Sequence, residues 1–183
     1  MKPFDRLLQY WRIRKVCPYL KQGDRVLDIG CADGALFKYY PGISEGIGID
    51  PTIPRNVEGE RYRLIRGSFP NDVPAVGSFD AITMLAVLEH IMPNDQVLLA
   101  RACFEKLKPG GFVLITVPSA SVDRILVVLR FLCIVDGMSL EEHHGFNPDD
   151  SPAIFGSAGL RLIEKRNFQL GLNHLFVFQK PMR

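Results

Sequence analysis

The chain has 183 residues and a net charge of +2, with 47% hydrophobic and 23% charged residues. That length suits one domain with a substantial core, and the composition is that of an ordinary globular protein. The near-neutral balance excludes a broad basic surface of the kind nucleic acid requires. Arg12, Arg14 and Lys15 read as a solvated helix face or a small local patch. The four cysteines, Cys17, Cys31, Cys103 and Cys133, form no C-x-x-C and no zinc spacing with histidine. Buried free thiols in a reducing compartment are the expectation, and no metal site. The longest apolar run, residues 125–135, is too short to span a bilayer and carries Arg130. Lys2, Asp5 and Arg6 leave no apolar core of signal length. These features predict a soluble cytoplasmic protein with no stable membrane span.

Along the chain, residues 4–16 set Phe4, Leu7, Leu8, Trp11 and Val16 at helical spacing, and Pro18 and Gly23 stop the helix. It is expected to cap the sheet edge or the turn that follows. Residues 25–29 form a short apolar run suited to a buried parallel strand. Gly30 ends it where the backbone must turn, and a helix is expected over residues 34–40, before Pro41. A second strand covers residues 46–49 and ends at Asp50, a third covers 62–67, and a fourth covers 78–85. A helix over 93–107 has Val97, Leu98, Ala102 and Leu107 as its apolar positions. A turn at Lys108-Pro109-Gly110-Gly111 leads to a fifth strand at 112–117. Strands alternating with helices predict an α/β domain whose ligand lies outside the carboxyl ends of the strands.

The turn after the first strand is the candidate ligand site. A helix starting near Asp33 would aim free backbone N–H groups and a positive dipole end at it, which suits an anionic group. As a dinucleotide fingerprint the turn reads Gly30-x-Ala32-x-x-Ala35, with two of three glycines replaced. As an S-adenosylmethionine turn it reads Asp28-x-Gly30-x-x-x-Gly34, with Ala32 at the usual middle glycine. Asp50, 20 residues after Gly30, is placed to accept hydrogen bonds from the two hydroxyls of an adenosine ribose. Ser68 and Phe69, after the third strand, are candidates for the adenine edge and face.

Taken together, four motifs resemble class I S-adenosylmethionine-dependent methyltransferases, in the group that includes small-molecule and quinone-type enzymes. They are Val26-Leu27-Asp28-Ile29-Gly30-Cys31-Ala32-Asp33-Gly34, Gly48-Ile49-Asp50, Phe79-Asp80-Ala81-Ile82 leading to Leu88-Glu89-His90, and Leu107-Lys108-Pro109-Gly110-Gly111. The resemblance covers residues 25–118 and implies a Rossmann-like, seven-stranded, mostly parallel sheet with helices on both faces and the last strand antiparallel. Residues 151–158 then read as a helix, and residues 159–164 and 175–179 as the sixth and seventh strands. One domain is expected. It comprises an N-terminal helical cap (1–24), a cofactor-binding core (25–118), a helical substrate-side insert (119–150) and a C-terminal helix with the last two strands (151–183).

The resemblance implies S-adenosylmethionine as cofactor, held by Asp28, Gly30, Cys31, Ala32, Gly34, Asp50, Ser68, Phe69, Leu85 and Glu89. Two departures stand out: Ala32 at the middle glycine, and Ser68 where an acidic residue often contacts adenine. Methyl transfer from a sulfonium needs alignment and exclusion of water, and a base only if the acceptor must lose a proton. His90 and His144 are the catalytic candidates, with His143 beside the latter. Residues 121–135 read as a helix apolar nearly all round, either a core element, a homodimer face or a lid over an apolar or lipid-linked acceptor. Two alternatives are a non-catalytic relative serving as a partner subunit and a NAD-dependent oxidoreductase. The second lacks any Tyr-x-x-x-Lys pair.

Overall fold

The computed structural model describes residues 3–75, 77–119 and 146–182. The helix, lid and dimer face expected over 121–135, together with Cys133, His143 and His144, lie outside them.

Helix α1 (Pro3–Val16) leads through a 3-10 turn at Cys17–Tyr19 into strand β1 (Arg25–Ile29). There follow α2 (Ala35–Tyr39), β2 (Glu45–Asp50), β3 (Val57–Glu58), β4 (Tyr62–Arg66) and β5 (Phe79–Leu85). After a 3-10 turn at Leu88–His90 come α3 (Pro93–Lys106) and β6 (Leu107–Pro118). The chain closes with α4 (Ser151–Ser157), β7 (Arg161–Phe168) and β8 (Asn173–Gln179).

The sheet order is β3-β4-β2-β1-β5-β6-β8-β7. Strands β4, β2, β1, β5 and β6 are mutually parallel, and β8 runs antiparallel between β6 and β7. The seven expected strands are therefore present with the antiparallel one where it was anticipated. The eighth, β3, is a two-residue strand antiparallel to β4. Two residues carry no readable alternation, so β3 leaves no periodic signal. The Gly-Gly segment after α3, expected as a turn, belongs to β6. Leu107 pairs with Phe79 and Phe112 with Ala81, so the intervening residues bulge out of the ladder.

Alternation along β1 divides the core. Val26 faces Ile13 and Val16 of α1 and Leu36 and Phe37 of α2. Leu27 and Ile29 face Leu99 and Cys103 of α3 and Phe155 of α4. Helices thus cover both faces, as a parallel sheet requires. Each fully enclosed Leu or Ile contributes about 1.5–3 kcal/mol of burial.

Two helices present faces other than those expected. On α3 the buried positions are Gln96, Leu99, Ala100 and Cys103, while Leu98 is exposed. Gln96 faces inward because its amide donates to the carbonyls of Ile91 (2.8 Å) and Leu88 (3.4 Å), fixing the preceding turn. On α1 the inward stripe holds Ile13 and Val16, and Leu7 and Trp11 face solvent.

Parallel register brings the carboxyl ends of the strands to one edge. Ile29 pairs with Ile49 and Met84, Asp50 with Arg66, and Leu85 with Thr116.

Candidate cofactor site

The turn after β1 runs through Gly30 (φ 73°), Ala32 (φ 46°) and Gly34 (φ 71°). A Cβ on Gly30 would lie 2.3 Å from Val87 Cγ2, so the turn and the segment after β5 approach as closely as glycine permits. Ala32 adopts the left-handed conformation that its methyl group disfavours by about 1 kcal/mol. Its N–H donates to Asp50 Oδ2 at 2.9 Å, which holds it there.

The turn's other amides are also engaged. Gly30 and Cys31 N–H both donate to the Ile49 carbonyl, at 2.8 and 3.4 Å, and Gly34 N–H donates to the Cys31 carbonyl at 2.8 Å. Helix α2 has only five residues. The amides of the turn itself are thus used to close it, and Lys38 N–H donates to the Gly34 carbonyl at 3.2 Å in the first turn of the helix.

Asp50 is buried at the end of β2. Beyond Ala32 it accepts from Thr52 N–H (2.8 Å) and Thr52 Oγ1 (2.6 Å), both on Oδ1. Two carboxylate oxygens offer about four acceptor positions, so Oδ2 keeps one position after Ala32. Asp28 lies beneath the turn, buried, with Oδ1 accepting from Thr83 Oγ1 at 2.6 Å. Burial pushes its carboxyl up to about 7, against the pull of the Thr83 hydrogen bond and with help from Asp50. Cys31 is buried beside them, and a Cβ at Gly48 would come within 2.7 Å of its Sγ. Burial raises the Cys31 thiol well above its ordinary range, and Asp28 and Asp50 add to this. It is a packing group.

After β4, Ser68 and Asp72 bond reciprocally. Ser68 N–H donates to Asp72 Oδ2 at 2.8 Å, and Asp72 N–H donates to the Ser68 carbonyl at 3.0 Å. An acid therefore stands in this loop four residues beyond the position where Ser68 lacks one. Phe69 is half-buried and packs on the core cluster that includes Ile29, Ile49 and Met84.

The segment after β5 differs in kind. Leu85 and Val87 are half-buried, and Ala86 turns the chain at φ 60° with its N–H on the Thr116 carbonyl at 2.8 Å. Glu89 is 3% exposed, and its Oε2 is enclosed without a hydrogen-bond partner. Burial pushes its carboxyl up to about 7, against a hydrogen bond from its own backbone N–H and, to a lesser degree, the attraction of Arg12. Arg12, on α1, has an enclosed Nε that also lacks a hydrogen-bond partner. Burial lowers its pKa, and Glu89 and Asp5 oppose that shift. His90 is half-buried, its N–H on the Val87 carbonyl at 3.0 Å.

The structure thus gathers Gly30, Cys31, Ala32, Gly34, Asp28, Asp50, Leu85 and Glu89 at the edge where β1, β2 and β5 end, and sets Ser68 and Phe69 beside them after β4. Sequence reasoning missed Arg12, Thr52, Asp72 and Thr83. Arg12 was findable: it precedes Val16 by four residues and so shares the inward stripe of α1.

A methyltransferase-domain family model matches residues 4–167. A ubiquinone biosynthesis O-methyltransferase of Xanthomonas campestris pv. campestris is 34% identical over 99 residues, covering 49% of this chain and 41% of that protein. A ribosomal protein L11 methyltransferase of Ralstonia nicotianae is 33% identical over 117 residues, covering 60% of this chain and 36% of that protein. The chain therefore spans well under half the length of these relatives. Among solved structures, the N-methyltransferase NodS of Bradyrhizobium japonicum with S-adenosyl-L-homocysteine superposes with a TM-score of 0.68 at 19% identity, covering 98% of this chain and 89% of that one. Its likeness is one of fold. No helix among the described residues is long and apolar enough to cross a membrane. With the family model spanning residues 4–167, most of the sequence, the chain belongs to the methyltransferase-domain family.

Proposed function

We propose that the chain binds S-adenosylmethionine and transfers its methyl group to a small-molecule acceptor. The cofactor supplies an electrophilic methyl on a sulfonium. The observation that carries this reading is the enclosed, hydrogen-bond-deficient pair Arg12 Nε and Glu89 Oε2. It stands beside a glycine turn that Val87 closes and in line with Asp50 at the next strand end. An amino-acid group with one carboxylate and one ammonium suits such a corner, since Arg12 is a donor and an ionised Glu89 an acceptor. Asp50 Oδ2 would take one ribose hydroxyl, and the Thr52 hydroxyl would have to leave Oδ1 for a second. Phe69 would pack against the adenine, and Asp72 or Ser68 would read its edge.

The residues' remaining work is to orient and to exclude water, which is most of what an in-line displacement requires. Val87 packs over the turn at Gly30. His90, half-buried in the segment after β5, would take the proton, should the acceptor be a hydroxyl or a protonated amine. A quinone-type phenol is the acceptor class suggested by the ubiquinone-pathway relative, and the ribosomal-protein relative names the competing class.

The reading is tested by isothermal titration with S-adenosylmethionine, S-adenosylhomocysteine and NAD, followed by radiolabelled methyl transfer to a panel of phenols. Binding of the first two, lost in Asp50→Ala, with label entering a phenol, is the expected result. Binding of NAD alone would overturn it. Cofactor binding with no transfer to any acceptor, protein included, would favour the partner-subunit alternative.

A further inference from the structure

The outward face of α1 is apolar and aromatic where a solvated helix face would be polar. Leu7 is 53% exposed, Trp11 42% and Tyr10 37%, and they lie on one stripe between Arg6 and Arg14, both exposed. Arg14 sits 5.9 Å over the Tyr10 ring, so one cation rides on the aromatic surface. A second exposed apolar group lies on a turn that is hydrogen-bonded to α1 through Gln169. Leu170, at the tip of the turn between β7 and β8, is 99% exposed. The turn is firmly built. Gln169 and Leu170 take positive φ of 51° and 58°, and Gly171 and Leu172 N–H donate back to Phe168 and Gln169 at 3.1 Å. Gln169 Nε2 also reaches the Leu8 carbonyl at 3.4 Å, joining the turn to α1. Ser119 N–H donates to the Leu172 carbonyl, which sets the turn at the carboxyl edge of the sheet, beside the candidate site.

We infer that Leu7, Tyr10, Trp11 and Leu170, bracketed by Arg6 and Arg14, form a docking surface for an anionic lipid bilayer. Charge selects this occupant. The acid on α1, Asp5, is half-buried, so two copies of the face would oppose like charges, whereas anionic headgroups neutralise Arg6 and Arg14. Aromatic rings with a polar tip settle at the headgroup level, and a leucine on a rigid turn enters the acyl boundary. So few groups give weak, reversible attachment. The inference goes beyond the methyl-transfer reading and does not require it.

Trp11 is the only tryptophan in the sequence and serves as the probe. The protein is mixed with vesicles of phosphatidylcholine, alone or with phosphatidylglycerol, at low and high salt. Co-sedimentation and the Trp11 emission spectrum are then recorded. Binding to the anionic vesicles only, relieved by salt, with a blue shift of Trp11 and quenching by brominated lipid, is expected. Arg6→Glu with Arg14→Glu should lower partitioning roughly tenfold or more. Leu7→Ser with Leu170→Ser should remove the blue shift while leaving the melting temperature in place. Leu170→Ser alone, at the exposed tip, repeats the test if the pair unfolds. An unshifted Trp11 with no sedimentation, or equal binding to neutral and anionic vesicles, would overturn the inference. So would a Trp11 shift that follows protein concentration without lipid and accompanies a dimer in ultracentrifugation, which would assign the face to a second copy.

Discussion

The turn after β1 and the corner after β5 meet at the van der Waals contact of Gly30 with Val87, yet they treat their polar groups in opposite ways. In the turn, the amides of Gly30, Cys31, Ala32 and Gly34 all find acceptors inside the chain. In the corner, Arg12 and Glu89 each keep an enclosed polar atom without a hydrogen bond. Buried polar groups in native proteins are nearly always satisfied, so these two call for an explanation, as do Thr116 Oγ1, Ser151 Oγ and Asn173 Oδ1 elsewhere in the fold. On the proposed reading, the amides of the turn serve to hold its shape, and recognition of the charged end of the cofactor would fall to side chains that include one from the helix upstream of it.

The largest effect should come from attacking the scaffold. Gly30→Ala drives a Cβ into Val87 and burdens a φ of 73°, so it should destabilise the fold by about 3 kcal/mol in urea melts. Adding Val87→Ala should restore the packing part and leave about 1 kcal/mol from the backbone. No recovery would mean that the two segments are not coupled through this contact.

Arg12→Ala attacks the corner. Loss of a charge-assisted bond should weaken S-adenosylmethionine binding by about 2–3 kcal/mol, or roughly 30- to 150-fold. The melting temperature without ligand should move far less than in Gly30→Ala. Equal effects on stability and affinity would erase the distinction between scaffold and recognition.

Asp28 sharpens it through pH. Its folded carboxyl titrates at about 7, above the ordinary 3.8, so the folded state holds its proton more tightly than the unfolded state. Stability is therefore lost through this group as pH rises from about 4 to 7, and the whole penalty is present above that. Asp28→Asn keeps an oxygen to accept from Thr83 and cannot ionise. It should stabilise the protein near pH 8 and not at all near pH 4, measured by denaturant titration at both. A gain that is the same at both would assign the effect to packing.

Ala32→Gly should do least. It relieves a left-handed alanine but frees the unfolded chain, two terms of opposite sign and about 1 kcal/mol each, so stability should change by less than about 0.5 kcal/mol. Cofactor affinity should stay within roughly threefold, because the Ala32 amide is already fixed on Asp50.

The sequence was legible where a periodic pattern or a turn residue had to be obeyed. Strand β1 falls on the expected residues, Gly159 ends α4 at φ 92°, and the antiparallel β8 takes its place between β6 and β7. Reading failed where tertiary contacts chose between faces. Leu7 and Trp11 face outward and Arg12 inward because α1 lies over β5 and Glu89, a neighbour 77 residues away in the chain. Gln96 displaces Leu98 from the core because two carbonyls after β5 need its amide. In the site, glycine and acid positions followed from spacing alone. Whether their hydrogen bonds were open or closed depended on Ile49, Thr52 and Thr83, which no local pattern announces.

The division between turn and corner is tested most directly by titrating the wild type and Arg12→Ala with two ligands. S-adenosylhomocysteine carries the amino-acid end, and 5′-methylthioadenosine lacks it. The account predicts that Arg12→Ala weakens S-adenosylhomocysteine by roughly 30-fold or more and leaves methylthioadenosine within about threefold. An equal loss for both ligands, or no loss for either, would contradict it.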